Sequence, residues 1–190
     1  MFAPPRDTRP PVDARVPDAR VLDSRVLGVD PGLTRCGYAV LAPGPSGSAQ
    51  ALALGVVRTD KDDDTPLRLA VLQADIEALL DEFRPSAVAV ERVFFQSNVR
   101  TAIGVAQASG VVLAAAARRG CWVAEYTPSQ VKDTVAGWGG ADKAQVQRMV
   151  QMRLGLATVP RPADAADAAA IALCHLAMSP ALSAPDRTSR

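Results

Sequence analysis

Apolar positions along this chain fall into short blocks before the rhythm lengthens. Val26-Leu27-Gly28-Val29-Asp30 is a run of apolar or small residues ending in a carboxylate, and Pro31-Gly32 stops it. That pattern predicts a buried strand. Gly37 to Leu41 and Ala51 to Arg58 read as two more strands, with Gly44-Pro45-Ser46-Gly47-Ser48 as the hairpin loop between them. Leu69, Leu72, Ile76, Leu79, Leu80 and Phe83 then recur at helical spacing and predict a helix over Pro66 to Phe83. Thr65 is read as its cap, with Pro66 at the first helical position. Ser86 to Glu91 is a fourth strand that again ends in a carboxylate, and Cys121 to Tyr126 is a fifth. Between them, Asn98 to Arg119 reads as a long Ala- and Val-rich helix that Gly104 and Gly110 would let pack closely. Ser129 to Val135, Lys143 to Leu154 and Pro162 to Met178 complete the helices.

The order β-β-β-α-β-α-β-α-α-α implies an α/β domain: a mixed five-stranded sheet flanked by helices. The domain is expected over residues 25–178. Residues 1–24 alternate Arg, Asp and Pro with few large apolar side chains, which predicts a disordered arm. Residues 179–190 predict a flexible tail.

Composition and charge narrow the function classes. Cys36, Cys121 and Cys174 are odd in number, sit in apolar stretches and form no C-x-x-C pair, so they read as buried free thiols of a reducing compartment rather than zinc ligands. No apolar run reaches the roughly 20 residues that span a bilayer, and the start of the chain lacks the apolar core of a signal peptide. A cytoplasmic protein without a membrane role is expected. Net charge is +1 and points to no partner, but its distribution is uneven. Acids dominate from Asp60 to Glu82 and bases from Arg84 to Arg161, so the second half could face a polyanion.

Four carboxylates carry the candidate chemistry. Asp30 and Glu91 each end a buried strand, and functional groups of α/β sheets gather at that edge. A turn-forming Asp-Pro-Gly is the alternative for Asp30, and a salt bridge to Arg92 the alternative for Glu91. Asp164 and Asp167, spaced i, i+3, share one face of the first turn of the last helix. Helix capping is the alternative for one of them. Four oxygen donors without a nearby His or Cys pattern suit Mg²⁺ or Mn²⁺. Two such ions about 4 Å apart can drive phosphodiester cleavage.

Leu27-Gly28-Val29-Asp30-Pro31-Gly32 with Gly37-Tyr38, then Val90-Glu91-Arg92-Val93-Phe94-Phe95, then Ala163-Asp164-Ala165-Ala166-Asp167-Ala168 resemble, in order and spacing, the RuvC-type junction resolvases. The likeness continues through Glu125-Tyr126, Gln130-Val131-Lys132 and Ala141-Asp142-Lys143-Ala144-Gln145-Val146, and covers about residues 25–178. The resemblance implies an RNase H-like fold, a homodimer, two Mg²⁺ per active site with Mn²⁺ able to substitute, and paired symmetrical nicks in a four-way (Holliday) junction. It implies that Asp30, Glu91, Asp164 and Asp167 are catalytic metal ligands. Asp164 stands where some relatives carry His. Lys132 and Lys143 are implied to contact DNA, and Phe94 to stack on an unpaired base. A branch-migration motor is the implied partner complex.

Arg100, Arg118, Arg119 and Arg148 are weaker DNA-contact candidates, and Trp138 is either a loop anchor or a nucleic-acid contact. His175, about two turns past Asp167, is not read as a ligand. Ala102, Ile103, Ala106 and Val111 mark the expected dimer face of the long helix. Two alternatives remain: an RNase H-like nuclease acting on other DNA or RNA structures, and a non-catalytic junction-binding protein.

Overall fold

A computed structural model describes residues 25–92 and 99–179. Phe94, and the expected N-terminal arm and C-terminal tail, lie outside the described residues apart from Ser179. Ten main elements follow the predicted order. They are β1 (Val26–Asp30), β2 (Arg35–Pro43), β3 (Ala49–Arg58), α1 (Thr65–Phe83), β4 (Ala87–Glu91), α2 (Val99–Arg118), β5 (Trp122–Tyr126), α3 (Pro128–Ala136), α4 (Lys143–Arg153) and α5 (Ala163–Met178).

The strands form one sheet in the order β3-β2-β1-β4-β5. The β1-β2-β3 meander is antiparallel, whereas β4 joins β1, and β5 joins β4, in parallel. Two cores follow from strand alternation, which sends successive side chains to opposite faces. Leu27, Val29, Val40, Val88 and Val90 pack under α1 and α2. Val26, Ala39, Leu41, Ala87, Ala89 and Tyr126 pack under α3, α4 and α5. Even-numbered positions of β1 and odd-numbered positions of β4 therefore face α5. Asp30 and Glu91 belong to those sets.

α5 lies unusually close to the sheet, and glycine is the reason. A Cβ on Gly28 would meet the Ala168 carbonyl oxygen, and one on Gly37 the Asp164 carbonyl oxygen. Alanines line the helix opposite them, and Ala165, Ala166, Ala168, Ala169, Ala170 and Ala172 are all buried.

Several expectations shift. β2 begins two residues earlier than predicted, at Arg35, and a register irregularity follows Val40. α1 is capped by Asp64 rather than Thr65, within the usual variation of helix ends. Gly104 does approach Leu33, but a Cβ on Gly110 would meet nothing within 4 Å. The close approach lies instead at the strand glycines. Cys36 and Cys174 are buried free thiols as expected, whereas Cys121 is only partly buried at the start of an edge strand. No described helix is long and apolar enough to cross a membrane.

Candidate active site

Register places the acids. Asp30 is paired with Gly37, Gly37 with Val56, and Glu91 with Tyr126. Val29 pairs with Val90, so Asp30 and Glu91 are the next residues along two adjacent parallel strands. One row thus crosses the sheet as Val56, Gly37, Asp30, Glu91 and Tyr126, all facing α5. Because Gly37 has no side chain, the first turn of α5 settles onto it. Asp164 is delivered to one side of Asp30, and Asp167 comes one turn later.

Electrostatics report the same convergence. Burial first, and then the charges of Glu91, Asp167 and Asp164, push the Asp30 carboxyl up to about 7, against a smaller lowering by Lys143. Glu91 is raised by burial and by Asp167, with Lys132 and Lys143 pulling it back. Each acid has a neighbouring base. Arg35 donates from both Nε and Nη2 to Oδ2 of Asp164, at 3.1 and 2.5 Å, and holds that carboxyl below its ordinary value. Lys143 Nζ donates to Oδ2 of Asp167 at 2.6 Å. Among the described residues no three acidic, His or Cys side chains form a ready-made cation cage, and two of the four acids are hydrogen-bonded to these bases.

The N-cap of α5 is Pro162, with no side-chain cap bond, so neither aspartate is the N-cap residue. Arg92 instead donates its amide to the Tyr126 carbonyl at 2.8 Å, and no ion pair joins it to Glu91 among the described residues. The donor set fits a hard divalent cation, being all oxygen and strongly negative. Competing soft ligands are disarmed. Burial pushes the Cys36 thiol up to about 12, and His175 is buried with its Nδ1 2.8 Å from the Tyr126 hydroxyl.

The two lysines stand on short capped helices. Thr127 and Gln130 form a reciprocal capping box on α3, and Asp142 and Gln145 form one on α4. Lys143 is the first residue of α4, and Lys132 sits one turn into α3 on the Glu91 side. Trp138, 56% exposed, lies against Gly140 in the intervening loop. Arg119 pairs with Asp81 and Glu77 of α1. Arg118 lines a groove of about 380 Å³ between α1 and α2, together with Val111 and Gly110. Ile103 is exposed on α2, whereas Val111 turns partly inward. Sequence reasoning missed Arg35. Its available signal was a base two residues before Gly37, on the same side of a strand.

A mixed sheet in this order, with acids gathered on its two central parallel strands and on the helix above them, defines the RNase H-like class. Residues 26–175 match the family described as "Crossover junction endodeoxyribonuclease RuvC". The chain belongs to the RuvC family, whose members are metal-dependent nucleases. It is 56% identical over 158 residues to the RuvC of Parafrankia sp. (strain EAN1pec), covering 83% of this chain and 89% of that protein. It is 57% identical over 152 residues to that of Salinispora arenicola, covering 80% and 87%. Among solved structures it is similar to Thermus thermophilus RuvC in complex with a Holliday junction substrate. That match has a TM-score of 0.77 and 42% identity, over 81% of this chain and 93% of that one. The yeast mitochondrial Holliday junction resolvase Ydc2, 20% identical with a TM-score of 0.64, shares the fold.

Proposed function

We propose that this protein resolves four-way DNA junctions by paired, symmetrical nicks during recombination and repair, using Asp30, Glu91, Asp164 and Asp167 as ligands for two Mg²⁺ ions. The observation that carries the reading is the convergence of four carboxylates from three elements around Asp30, within a chain of this family. Mn²⁺ is expected to substitute, since both cations prefer oxygen donors.

When bound, such ions would supply an activated water and neutralise charge on the leaving oxygen. The residues of the chain do the rest. β1 and β4 fix Asp30 and Glu91 at the floor, because each follows a fully buried strand. Asp164 and Asp167 approach from the rigid first turn of α5. Lys143, on the rim, and Lys132, beside Glu91, are placed to hold phosphates of the substrate strand, which positions DNA without reading its sequence. Phe94, immediately beyond β4, is the proposed stacking residue for an unpaired base, a contact worth about 1–3 kcal/mol.

Two identical cuts require two copies of the site, so the working form is a homodimer, with the exposed Ile103 face of α2 as its contact. The setting is the cytoplasm, alongside a branch-migration motor.

The test is cleavage of a synthetic four-way junction against linear duplex, single-stranded DNA and RNA, with Mg²⁺, Mn²⁺ or EDTA. Symmetrical nicks in the junction alone, dependent on the cation, are expected. Equal cutting of linear or single-stranded substrates would favour a general RNase H-like nuclease. Binding without any cutting would favour a non-catalytic junction-binding protein.

A further inference from the structure

Arg35 and Arg58 are directly opposed across β2 and β3. By strand alternation both belong to the face that carries α5, two residues beyond Gly37 and Val56 toward the open end of the sheet. Like charges directly opposite on a sheet destabilise it. Here only one is neutralised. Arg35 gives two of its five donors to Asp164. The Arg58 side chain is exposed and has no ion pair or hydrogen bond among the described residues. The nearby Asp60 accepts the amide of Asp62 instead. One flank of the carboxylate site thus keeps a cation that meets no acid among the described residues, on a strand rather than a loop.

The other flank already has Lys132. Strands are about 4.8 Å apart, so β3 lies about 10 Å from β1 and about 14 Å from β4. A single nucleic-acid strand places one charge about every 3.4 Å along its axis. A strand entering by Lys132 and crossing the carboxylates would therefore reach the arginines within about three nucleotides of the cut. Guanidinium groups suit this task because their forked donors match phosphate oxygens.

We infer that Arg35 and Arg58 form a phosphate-binding pair for the substrate strand, on the side of the carboxylates opposite Lys132. Arg58 is the free partner, and Arg35 shares its guanidinium between Asp164 and the phosphate. This rests on the nuclease reading above, and the experiment separates the two.

Junction binding is measured in EDTA, where nothing is cut, for wild type, Arg58→Ala and Arg58→Lys over a range of salt concentrations. Arg58→Ala should bind about tenfold more weakly, and its salt slope should fall by about one. Arg58→Lys should recover most of the slope. A scan of junctions carrying one methylphosphonate linkage locates the contact. One linkage within about three nucleotides of the nick, on one side only, should weaken the wild type yet leave Arg58→Ala unaffected. Melting temperature should not fall in Arg58→Ala, because the substitution removes a repulsion. Unchanged affinity and slope, or the same methylphosphonate sensitivity in Arg58→Ala as in wild type, would overturn the pair alone. A wild type that fails to prefer the junction over linear duplex would overturn the function proposal instead.

Discussion

Lys143, the first residue of α4, lies with its Nζ 2.6 Å from Oδ2 of Asp167 in α5. The contact joins one of the proposed DNA-binding bases to one of the proposed metal ligands. The ammonium occupies one of the two oxygens that Asp167 could offer a cation. A cation that took this oxygen of Asp167 would compete with the ammonium for it, so metal binding and DNA binding would be coupled through this pair. Lys143→Ala should change junction affinity little in EDTA and weaken it severalfold when Mg²⁺ is present with an uncut, Asp30→Asn version of the site. Titrations at several salt concentrations check this. The salt slope should differ by about one only in the presence of the cation. An identical loss in both conditions would mean that Lys143 acts independently of Asp167.

Asp30 should report on the cluster without any substrate. Its carboxyl is raised to about 7 by burial and by three neighbouring carboxylates. A group raised in the folded state contributes stability that is present below its unfolded value, near 4, and is lost as pH rises through about 7. The metal-free protein should therefore melt at higher temperature near pH 5.5 than near pH 8, as far as Asp30 is concerned. Asp30→Asn removes the buried charge. It should raise the metal-free melting temperature at pH 8 by about 5 °C, flatten the pH dependence, keep junction binding and abolish cation-dependent nicking. Thermal scans in EDTA from pH 5.5 to 8 measure the first two effects. A variant that melts lower at pH 8 than wild type would show that the acids do not repel one another.

The element order and the sheet were legible because each block of the chain keeps one periodicity, and Asp30 and Glu91 stood out because a carboxylate closes each buried run. Asp164 and Asp167 were harder, since an Asp in a first helical turn is commonly a cap. Only the structure shows that Pro162 takes that place. Arg35 was hidden because β2 was read as beginning at Gly37. A polar residue before an apolar run resembles a loop until pairing with Arg58 extends the strand. Close packing was assigned to Gly104 and Gly110 in α2, but periodicity cannot say which helix presses on which strand. That contact is set by the tertiary approach of α5 to Gly28 and Gly37.

Those glycines yield a paired test. Gly37→Ala would drive a methyl group into the backbone carbonyl of Asp164, and backbone cannot swing aside as a long side chain can. The first turn of α5 must lift from the sheet, carrying both aspartates with it. A loss of about 1–3 kcal/mol is expected, together with nearly complete loss of nicking. Gly110→Ala is the control, because its methyl group would meet nothing. Alanine in a helix interior should stabilise the protein by about 0.5–1 kcal/mol. Denaturant unfolding and junction cleavage of both variants suffice. A Gly37→Ala protein as active as wild type would remove the basis for placing Asp164 beside Asp30.

The buried pair Tyr126 and His175 ties the last strand to the last helix behind the site. Tyr126 neighbours Glu91 in the sheet, and His175 lies two turns along α5 from Asp167. Their 2.8 Å hydrogen bond therefore joins α5, which carries the aspartates, to β5, the strand paired with the one that carries Glu91. Burial lowers the imidazole's affinity for a proton, and the tautomer of the ring decides whether Nδ1 accepts from the tyrosine hydroxyl or donates to it. Tyr126→Phe leaves that buried nitrogen without its partner and should lose about 1–3 kcal/mol. Tyr126→Phe with His175→Leu removes both polar groups and should regain part of that loss. The same burial makes an opposite pH contribution to that of Asp30. A group that binds its proton less readily when folded contributes stability that is complete above its unfolded value near 6.5 and declines as pH falls below it. In an Asp30→Asn background, melting temperature should therefore drop on acidification below about 6.5, and adding His175→Leu should remove the drop. An unaltered acid slope after that substitution would assign the titration elsewhere.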